Sequence, residues 1–352
     1  MTSGGDVMDP LSAHRAISAL LTQLDFSTLF PGFHPFRFAL YDETTACVDG
    51  AMCPRDERFR GNTAIDFGGE WLAIWNLDSD SSDSVTLAHE LAHEMFHCFQ
   101  LERGQTRYPD DLALLAYPDD AVNFARKHRE NCLLADAFER RDSDALRRFC
   151  AVRNARLAQY PEAVRQECLT ETIEGVAEYV GLKALQALHP ARYERAVAAC
   201  LRRLREDMPL LFDVRRVSYD TGAVFCLTLD ALGLPVRNDF SVQTLYAQNA
   251  LPAAPDSDCP DFPDLQQAHQ AWMARKRQAI DACMHSSVFT PCPARITGYD
   301  PMNMQRVGDL LLCTHFVCLH DGRSPRTLSG PVVLRLSPGK NDEIIGYYAV
   351  AP

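Results

Sequence analysis

Several features that define other protein classes are missing from this chain of 352 residues. It has no run of about 18 or more apolar residues, so we expect no membrane-spanning helix. Its first residues lack the basic and apolar segments of a secretory signal, and we therefore expect a cytoplasmic protein. It contains no Cys-x-x-Cys pair, which argues against a zinc finger, and neither internal repeats nor low-complexity tracts.

Basic residues are also fewer than acidic residues. The chain has 35 Lys and Arg against 47 Asp and Glu, a net charge of −12. Such a balance disfavours partners rich in phosphate or anionic lipid, and we expect neither nucleic acid nor a membrane as a partner. The 13 cysteines are irregularly spaced, and many occupy apolar positions. We interpret them as free thiols of a reducing compartment.

The most informative segment spans residues 87–100, LAHELAHEMFHCFQ. It holds two overlapping copies of His-Glu-x-x-His, the first formed by His89, Glu90 and His93, the second by His93, Glu94 and His97. Residues four apart share one face of a helix, so either pair of imidazoles can bind one metal ion. The Glu beside the first ligand can then accept a proton from water at the metal's open position. The apolar flanks predict a buried helix, with Ser84 as its N-cap.

A catalytic zinc site needs a third protein ligand, and residues 171–180, ETIEGVAEYV, offer candidates. Glu171, Glu174 and Glu178 share one face of a predicted amphipathic helix. Gly175 is costly inside a helix and indicates close packing, which we expect where this helix approaches the first. The alternative interpretation of the three glutamates is a solvent-facing acidic stripe.

The pair of motifs, His-Glu-x-x-His and then Glu-Gly-x-Ala-x-Tyr, resembles the gluzincin metallopeptidases, which include thermolysin-like and alanyl-aminopeptidase-like enzymes. The resemblance covers the two helices and the order of elements between residues 60 and 235, but not the C-terminal third. It implies Zn²⁺ as the cofactor and Glu174 as its third ligand. The segment between the two motifs, residues 98–173, is longer than in the compact members of the family. This difference implies that helices are inserted there. The segment HEMFHCFQ also resembles helices with the pattern HE-x-FH-x-x-Q in bacterial proteins. This second resemblance implies no particular substrate.

Both registers of the His-Glu-x-x-His motif remain open. In gluzincin-like helices an uncharged and then a hydrophobic residue follow the second His. Cys98 and Phe99 meet this pattern, whereas the first register places Glu94 there. HELAH itself, however, resembles the aminopeptidase motif. We favour His93, His97 and Glu174 as metal ligands with Glu94 as general base, and retain His89, Glu90 and His93 as the alternative site.

Tyr219 is a further candidate, because it precedes a predicted apolar helix. Gluzincins use a Tyr or His outside the ligand set to stabilise the oxyanion, and the resemblance implies this role for Tyr219. The alternative is that its ring caps or packs the helix. A second possible metal site, with Cys313, His315, Cys318 and His320, lies in a strand-like run, and we interpret those residues as structural.

Hydrophobic periodicity predicts an α+β protein. Helices are expected at 11–25, 84–103, 119–140, 143–158, 161–188, 191–206, 221–232, 240–249 and 263–284. A strand is expected at 36–42 and a hairpin at 63–76 around Gly68-Gly69. We predict a zincin-like, mainly helical catalytic domain over residues 1–250, with an N-terminal sheet at about 36–78 and a helical part at 84–249. A linker and helix at 251–284 and a small antiparallel β-domain at 285–352 follow.

These observations predict a zinc-dependent hydrolase, specifically a peptidase acting on a peptide or protein substrate. A Gly-Ala-Met-Glu-Asn-type amine-binding run is absent, which favours an endopeptidase or oligopeptidase. One alternative is a non-catalytic zincin-like binding protein with a structural or lost metal. Another is a carboxylate-bridged di-iron protein, because both motif copies contain Glu-x-x-His. That class needs the motif on two helices, and the sequence has no further copy.

Overall fold

The computed structural model of the chain describes residues 9–78, 83–255 and 263–349. In these ranges the chain forms a mixed α/β structure with an N-terminal sheet, a helical region and a C-terminal antiparallel sheet. No helix in these ranges is long and apolar enough to cross a membrane. The cysteines within them are all free thiols.

The N-terminal part comprises α1 (Pro10–Leu21), α2 (Phe26–Leu29), β1 (Arg37–Tyr41), β2 (Thr45–Val48), β3 (Ala51–Pro54), β4 (Thr63–Asp66) and β5 (Trp71–Asn76). The strand order is β3-β2-β1-β5-β4, with β1 and β5 parallel and the other pairs antiparallel. The predicted strand at 36–42 and the hairpin at 63–76 are confirmed. The prediction missed β2 and β3, although Asp49-Gly50 between them, with φ of 50° and 82°, is a favoured hairpin turn.

The helical region comprises α3 (Ser84–Glu102), α4 (Asp111–Leu115), α5 (Ala121–Arg140), α6 (Ser143–Gln159), α7 (Pro161–Thr170), a π-helical turn (Glu171–Gly175), α8 (Val176–Leu188), α9 (Pro190–Glu206), α10 (Met208–Phe212), α11 (Val214–Ala231), α12 (Leu245–Asn249) and α13 (Pro263–His285). The helices predicted at 84–103, 119–140, 143–158, 161–188, 191–206 and 263–284 are confirmed to within two residues at each end. The sequence prediction missed the short helices α4 and α10.

Three predicted helices have wrong boundaries. The first ends at Leu21 rather than residue 25, because Asp25 caps the separate helix α2. α11 begins at Val214, seven residues before the predicted 221, since Asp213 accepts a hydrogen bond from the backbone of Arg216 and caps it there. The helix predicted at 240–249 is formed only at 245–249, where Thr244 caps it.

The N-cap of α3 also differs from the prediction. Ser84 is the first helical residue, and the carboxylate of Asp83 accepts hydrogen bonds from the backbone N–H groups of Val85 and Thr86. Asp83 is the better N-cap, because an N-cap residue has an extended backbone and Asp83 adopts one immediately before the first helical turn. α3 then runs through the core, packed against β5, α1 and α8.

Two glycines set the distance between the helices that carry the site. A Cβ at Gly181 of α8 would lie 3.1 Å from the carbonyl oxygen of His89, so Gly181 marks the close approach of α8 to α3. Gly175 does not make this contact, contrary to the prediction. A Cβ at Gly175 would lie 2.5 Å from the Cα of Gly222 in α11. The π-helical turn and α11 therefore meet backbone to backbone.

Gly222→Ala is expected to destabilise the protein. The added methyl group would lie 2.7 Å from the Cα of Gly175 and 2.9 Å from the carbonyl oxygen of Glu171, so the helices must move apart. Overpacking of this kind costs about 1–3 kcal/mol. A denaturant titration measures the free energy of unfolding, and an unchanged value would contradict the backbone contact.

The C-terminal part comprises β6 (Val288–Tyr299), a 3₁₀ turn (Pro301–Asn303), β7 (Met304–Val307), β8 (Leu310–Cys313), β9 (Phe316–His320), β10 (Pro325–Ser329), β11 (Val332–Leu336) and β12 (Glu343–Ala349). They form one antiparallel sheet in the order β10-β9-β6-β12-β11-β8-β7, which confirms the predicted antiparallel β-structure. α13 packs Ile280 and Cys283 against Leu312 and Val333 on one face of this sheet. The edge strand β7 also contacts α4 and α13, which joins the sheet to the helical region.

Candidate metal centre

The two histidines His93 and His97 project from the middle of α3. Their Nε2 atoms lie 3.1 Å apart, as expected for residues one helical turn apart on the same face. α3 is largely buried, and its buried apolar residues are Leu87, Ala88, Leu91, Ala92, Met95, Phe96, Cys98 and Phe99. His93 is 6% exposed. The core therefore orients the imidazoles of this helix.

Glu174 completes a cluster with the two imidazoles. It lies in the π-helical turn between α7 and α8, a local geometry often associated with functional sites. Its Oε2 atom lies 3.2 Å from His97 Nε2 and 3.7 Å from His93 Nε2. One ligand atom from each residue thus lies within 4.8 Å of the others.

These spacings fit a metal ion. Ligands about 2.0–2.1 Å from one tetrahedral zinc ion lie roughly 3.3 Å from each other. The observed separations of 3.1, 3.2 and 3.7 Å between ligand atoms require only small adjustments. Within the described ranges, this is the one group of three or more His, Cys, Asp or Glu with such a convergence. The cluster can therefore hold a metal, and the geometry by itself does not distinguish zinc from other divalent ions.

Each imidazole has an oxygen acceptor near its Nδ1, but only that of His97 makes a hydrogen bond. His97 Nδ1 lies 2.8 Å from Gln100 Oε1, and Gln100 Nε2 donates to the carbonyl oxygen of Ile173 at 2.9 Å. His93 Nδ1 lies 3.3 Å from Glu178 Oε2. An acceptor facing each Nδ1 favours a proton there and would leave the Nε2 atoms available to a metal ion. Gln100 was not among the predicted site residues; its position three residues after His97 is the sequence signal for it.

A guanidinium holds the other oxygen of Glu174. Arg215 of α11 approaches Glu174 Oε1 with Nη2 at 3.2 Å, and its Nε donates to Asp111 Oδ1 at 3.0 Å. Its Nη1 donates to the hydroxyl of Tyr219 at 3.0 Å. Neither Arg215 nor Asp111 has a recognisable sequence signal, because both reach the site through contacts between distant segments.

Tyr219 lies beside the cluster, but its backbone is not where we expected it. It is inside α11 rather than ahead of the helix. Its ring stacks on that of His93, with ring centroids 6.1 Å apart and planes 11° from parallel. Burial and the carboxylate of Glu174 raise the pKa of Tyr219 well above its usual value, so its hydroxyl keeps its proton.

Glu94 is a buried carboxylate beside the cluster. It is 7% exposed, and its Oε2 atom has no hydrogen-bond partner among the described residues. Burial raises the pKa of Glu94, although the imidazoles of His97 and His93 oppose this shift. An orphaned carboxylate at such a depth is costly, and a nearby cation or a proton would offset the cost.

Electrostatic complementarity links the imidazoles to the glutamates. Burial by itself would lower the pKa of His93, but the carboxylates of Glu174 and Glu178 raise it well above its usual value. Burial would raise the pKa of Glu174, but His97, His93 and Arg215 hold it well below its usual value. The position between these groups is thus suited to positive charge.

His89 and Glu90, of the alternative register, lie outside the cluster. His89 Nε2 lies 3.5 Å from Glu90 Oε1, and burial lowers the pKa of His89. Glu171 also lies elsewhere, because its carboxylate pairs with Arg153 at 2.7 Å and accepts from Thr221 at 2.7 Å. The structure thus brings together His93, His97 and Glu174 and keeps His89, Glu90 and Glu171 apart from them.

Alanine substitutions of the two outer histidines are expected to have unequal effects on metal binding. His97→Ala removes one of the three converging ligand atoms, whereas His89→Ala removes a side chain outside the cluster. We expect the first to abolish stoichiometric zinc binding and the second to weaken it only slightly. Metal content after dialysis against a zinc buffer measures both, and the opposite ranking would place the metal at His89, Glu90 and His93.

The residues considered for a second metal site are separated. His315 Nδ1 lies 2.7 Å from Asp300 Oδ2, Cys318 Sγ contacts the Thr327 hydroxyl at 3.5 Å, and Cys313 is buried in β8. Comparison with known proteins adds no assignment, since no family model, no curated protein and no solved structure matches the chain.

Proposed function

We propose that the chain is a zinc-dependent hydrolase, specifically a peptidase with a zincin-like catalytic region. The observation that carries the proposal is the convergence of His93, His97 and Glu174 beside the buried, unpartnered carboxylate of Glu94. Two imidazoles and one carboxylate form a ligand set typical of catalytic zinc, which leaves a position for water or substrate. A closed structural site would need no base next to it.

Zinc suits the donor atoms better than magnesium or calcium does. Imidazole nitrogens with one carboxylate oxygen fit zinc, whereas magnesium and calcium prefer oxygen ligands alone. A di-iron site requires a second Glu-x-x-His on another helix, and the sequence has none beyond α3. When bound, the ion supplies a Lewis acid that polarises a carbonyl oxygen and acidifies water.

Glu94 is the proposed general base. Its buried carboxylate, with a raised pKa, can accept a proton from water and deliver it to the leaving amine. Transfer in both directions requires a pKa closer to neutrality than that of an exposed glutamate, and burial moves it in this direction. His97 is oriented by its hydrogen bond with Gln100, and His93 by its burial and its contact with Glu178.

Tyr219 is the proposed oxyanion donor. Its hydroxyl accepts a hydrogen bond from Arg215, and its own proton, which faces the carboxylate of Glu174, would turn to the oxyanion. The stacking of Tyr219 on His93 and the interaction of its hydroxyl with Glu174 support this role, since both keep the hydroxyl beside the cluster. A donor in that position stabilises negative charge that develops on a peptide carbonyl oxygen.

The N-terminal sheet provides a surface for an extended substrate. β4 is an edge strand of that sheet and packs next to α3. The free backbone groups of an edge strand can pair with an extended peptide, which is the arrangement expected of a zincin-like fold. This supports a peptide rather than a small polar molecule as the substrate class.

Metal analysis combined with a peptide-hydrolysis screen tests the proposal. The purified chain is stripped with a chelator, reloaded with zinc, and incubated with a peptide library, and the stripped protein is the control. We expect one zinc per chain and cleavage only after reloading. Bound zinc without cleavage of any peptide would favour a non-catalytic binding protein, and iron in place of zinc would support the di-iron alternative.

A further inference from the structure

A cavity of about 400 Å³ lies between the helical region and the C-terminal sheet. α4, the start of α11, α13 and β7 supply its walls. Its aromatic lining is formed by Tyr117, Phe124, Phe212 and Trp272, and the last three pack together with ring centroids 5.1 to 6.4 Å apart. A volume of this size is typical of sites for small ligands or single side chains.

Two of the three acidic residues that line the cavity are paired with arginines. Asp111 accepts from Arg215 Nε at 3.0 Å, and Asp213 pairs with Arg216 at 3.2 Å. Asp119 lies against the imidazole of His269. Their negative charge is therefore partly compensated within the protein.

Lys276 of α13 also lines the cavity, but it has no ion-pair partner among the described residues. Its Nζ lies 4.2 Å from the ring centroid of Trp272, and no carboxylate of the described residues forms an ion pair with it. Burial lowers its pKa to about 8, so the ammonium is still the dominant form near neutral pH. The carboxylates of Asp119 and Asp213 act on Lys276 electrostatically, but neither lies within ion-pair distance of it. Its partly desolvated ammonium, over an aromatic ring, can therefore still pair with an anionic group.

The side chain of Arg215 connects the cavity to the metal centre. Arg215 lines the cavity and also approaches Glu174 with Nη2 at 3.2 Å. Asp111, on the same wall, holds the Nε of that guanidinium. A ligand in the cavity is thus separated from the proposed zinc ligand by the width of one guanidinium.

We propose that this cavity binds an apolar or aromatic residue bearing a free carboxylate, namely the C-terminal residue of a peptide. The aromatic walls accept the side chain, and Lys276 pairs with the carboxylate. This assignment rests on the proposed function for its link to a peptide substrate, but binding to the cavity does not require zinc. The site would select peptides by their carboxyl end.

Binding of two matched probes to the zinc-free, full-length chain tests the assignment. N-acetyl-L-phenylalanine carries the carboxylate, and N-acetyl-L-phenylalaninamide is its neutral counterpart. Calorimetry should show about tenfold or more tighter binding of the acid, since hydrogen bonds to charged groups contribute this much. Lys276→Met should abolish the difference, whereas Lys276→Arg should largely keep it. Lys340→Met, at an exposed lysine of the C-terminal sheet, serves as the control.

The probes also separate a peptide end from a free acid. Acetyl-Gly-Gly-phenylalanine should bind as tightly as N-acetyl-L-phenylalanine, and binding of the small acid alone would overturn the peptide assignment. Equal binding of acid and amide to the wild type, or an unchanged preference in Lys276→Met, would overturn the site itself. A chain that binds these probes but no zinc would contradict the proposed hydrolase and leave the cavity assignment standing.

Discussion

Glu174→Ala is expected to remove most of the zinc-binding capacity of the chain. Glu174 supplies the oxygen that faces both imidazoles, and two histidines on one helix cannot form the proposed site by themselves. Loss of groups that merely support a ligand weakens binding by about 10–100-fold, so loss of the ligand itself should exceed about 100-fold. Competition with a chromogenic zinc chelator measures the affinity.

Two controls separate ligand loss from unfolding. Gln186→Ala changes an exposed residue of α8, the helix that follows the π-helical turn, and should bind zinc like the wild type. Circular dichroism should show that Glu174→Ala retains its helices, even though Arg215 loses one of its contacts. Zinc retained at wild-type affinity by a folded Glu174→Ala variant would refute the ligand assignment.

Glu94→Gln should stop hydrolysis without releasing the metal. The substitution is nearly isosteric and removes only the ability to accept a proton, so α3 and both imidazoles stay in place. Loss of a general base typically lowers the rate by about 10²–10⁴-fold. The measurement is kcat/KM for a peptide identified in the library screen, with zinc content determined on the same preparation.

Glu90→Gln is the matched control for this prediction. Glu90 lies on the same helix and belongs to the other register, but it is outside the cluster of His93, His97 and Glu174. We expect its activity to remain close to that of the wild type. Full activity in Glu94→Gln together with a large loss in Glu90→Gln would show that the register is reversed.

The turn that carries Glu174 is held by a buried network of charges. Arg153 donates to Glu171 and Glu130, and Arg156 donates to Glu130 and Glu167. Arg153 and Arg156 are fully buried, as are Glu130 and Glu167. Removal of one partner from such a network leaves an uncompensated buried charge, which is strongly destabilising. The network joins α5, α6 and α7 to the π-helical turn and restricts the position of Glu174.

Much of the site was predictable from local periodicity. The spacing of His93 and His97 depends only on helical geometry, and the apolar residues of α3 determine that this helix is buried. The same reasoning predicted the long helices from α5 to α9 and the β-strands that follow α13. These features depend on residues a few positions apart, so the sequence alone determines them.

The different environments of the three glutamates were decided by the tertiary structure. Glu171, Glu174 and Glu178 share one predicted helical face, but Glu171 pairs with Arg153, Glu174 faces both imidazoles, and Glu178 faces His93 Nδ1. The π-helical turn changes the phase of the helix at this point. α11 packs against the turn, whereas α3 and α6 reach it through the side chains of His97 and Arg153. A helical pattern alone cannot anticipate these approaches.

Chain segments far apart in sequence also supply the surroundings of the site. Arg215 reaches Glu174 and Asp111 only because Gly175 and Gly222 let α11 touch the π-helical turn. Lys276 meets the cavity because α13 packs between α10 and β7. The sequence by itself determined which helix bears the two histidines. The packing of distant helices determined which carboxylate faces them and which cavity adjoins them, because those contacts depend on helix crossings rather than on local spacing.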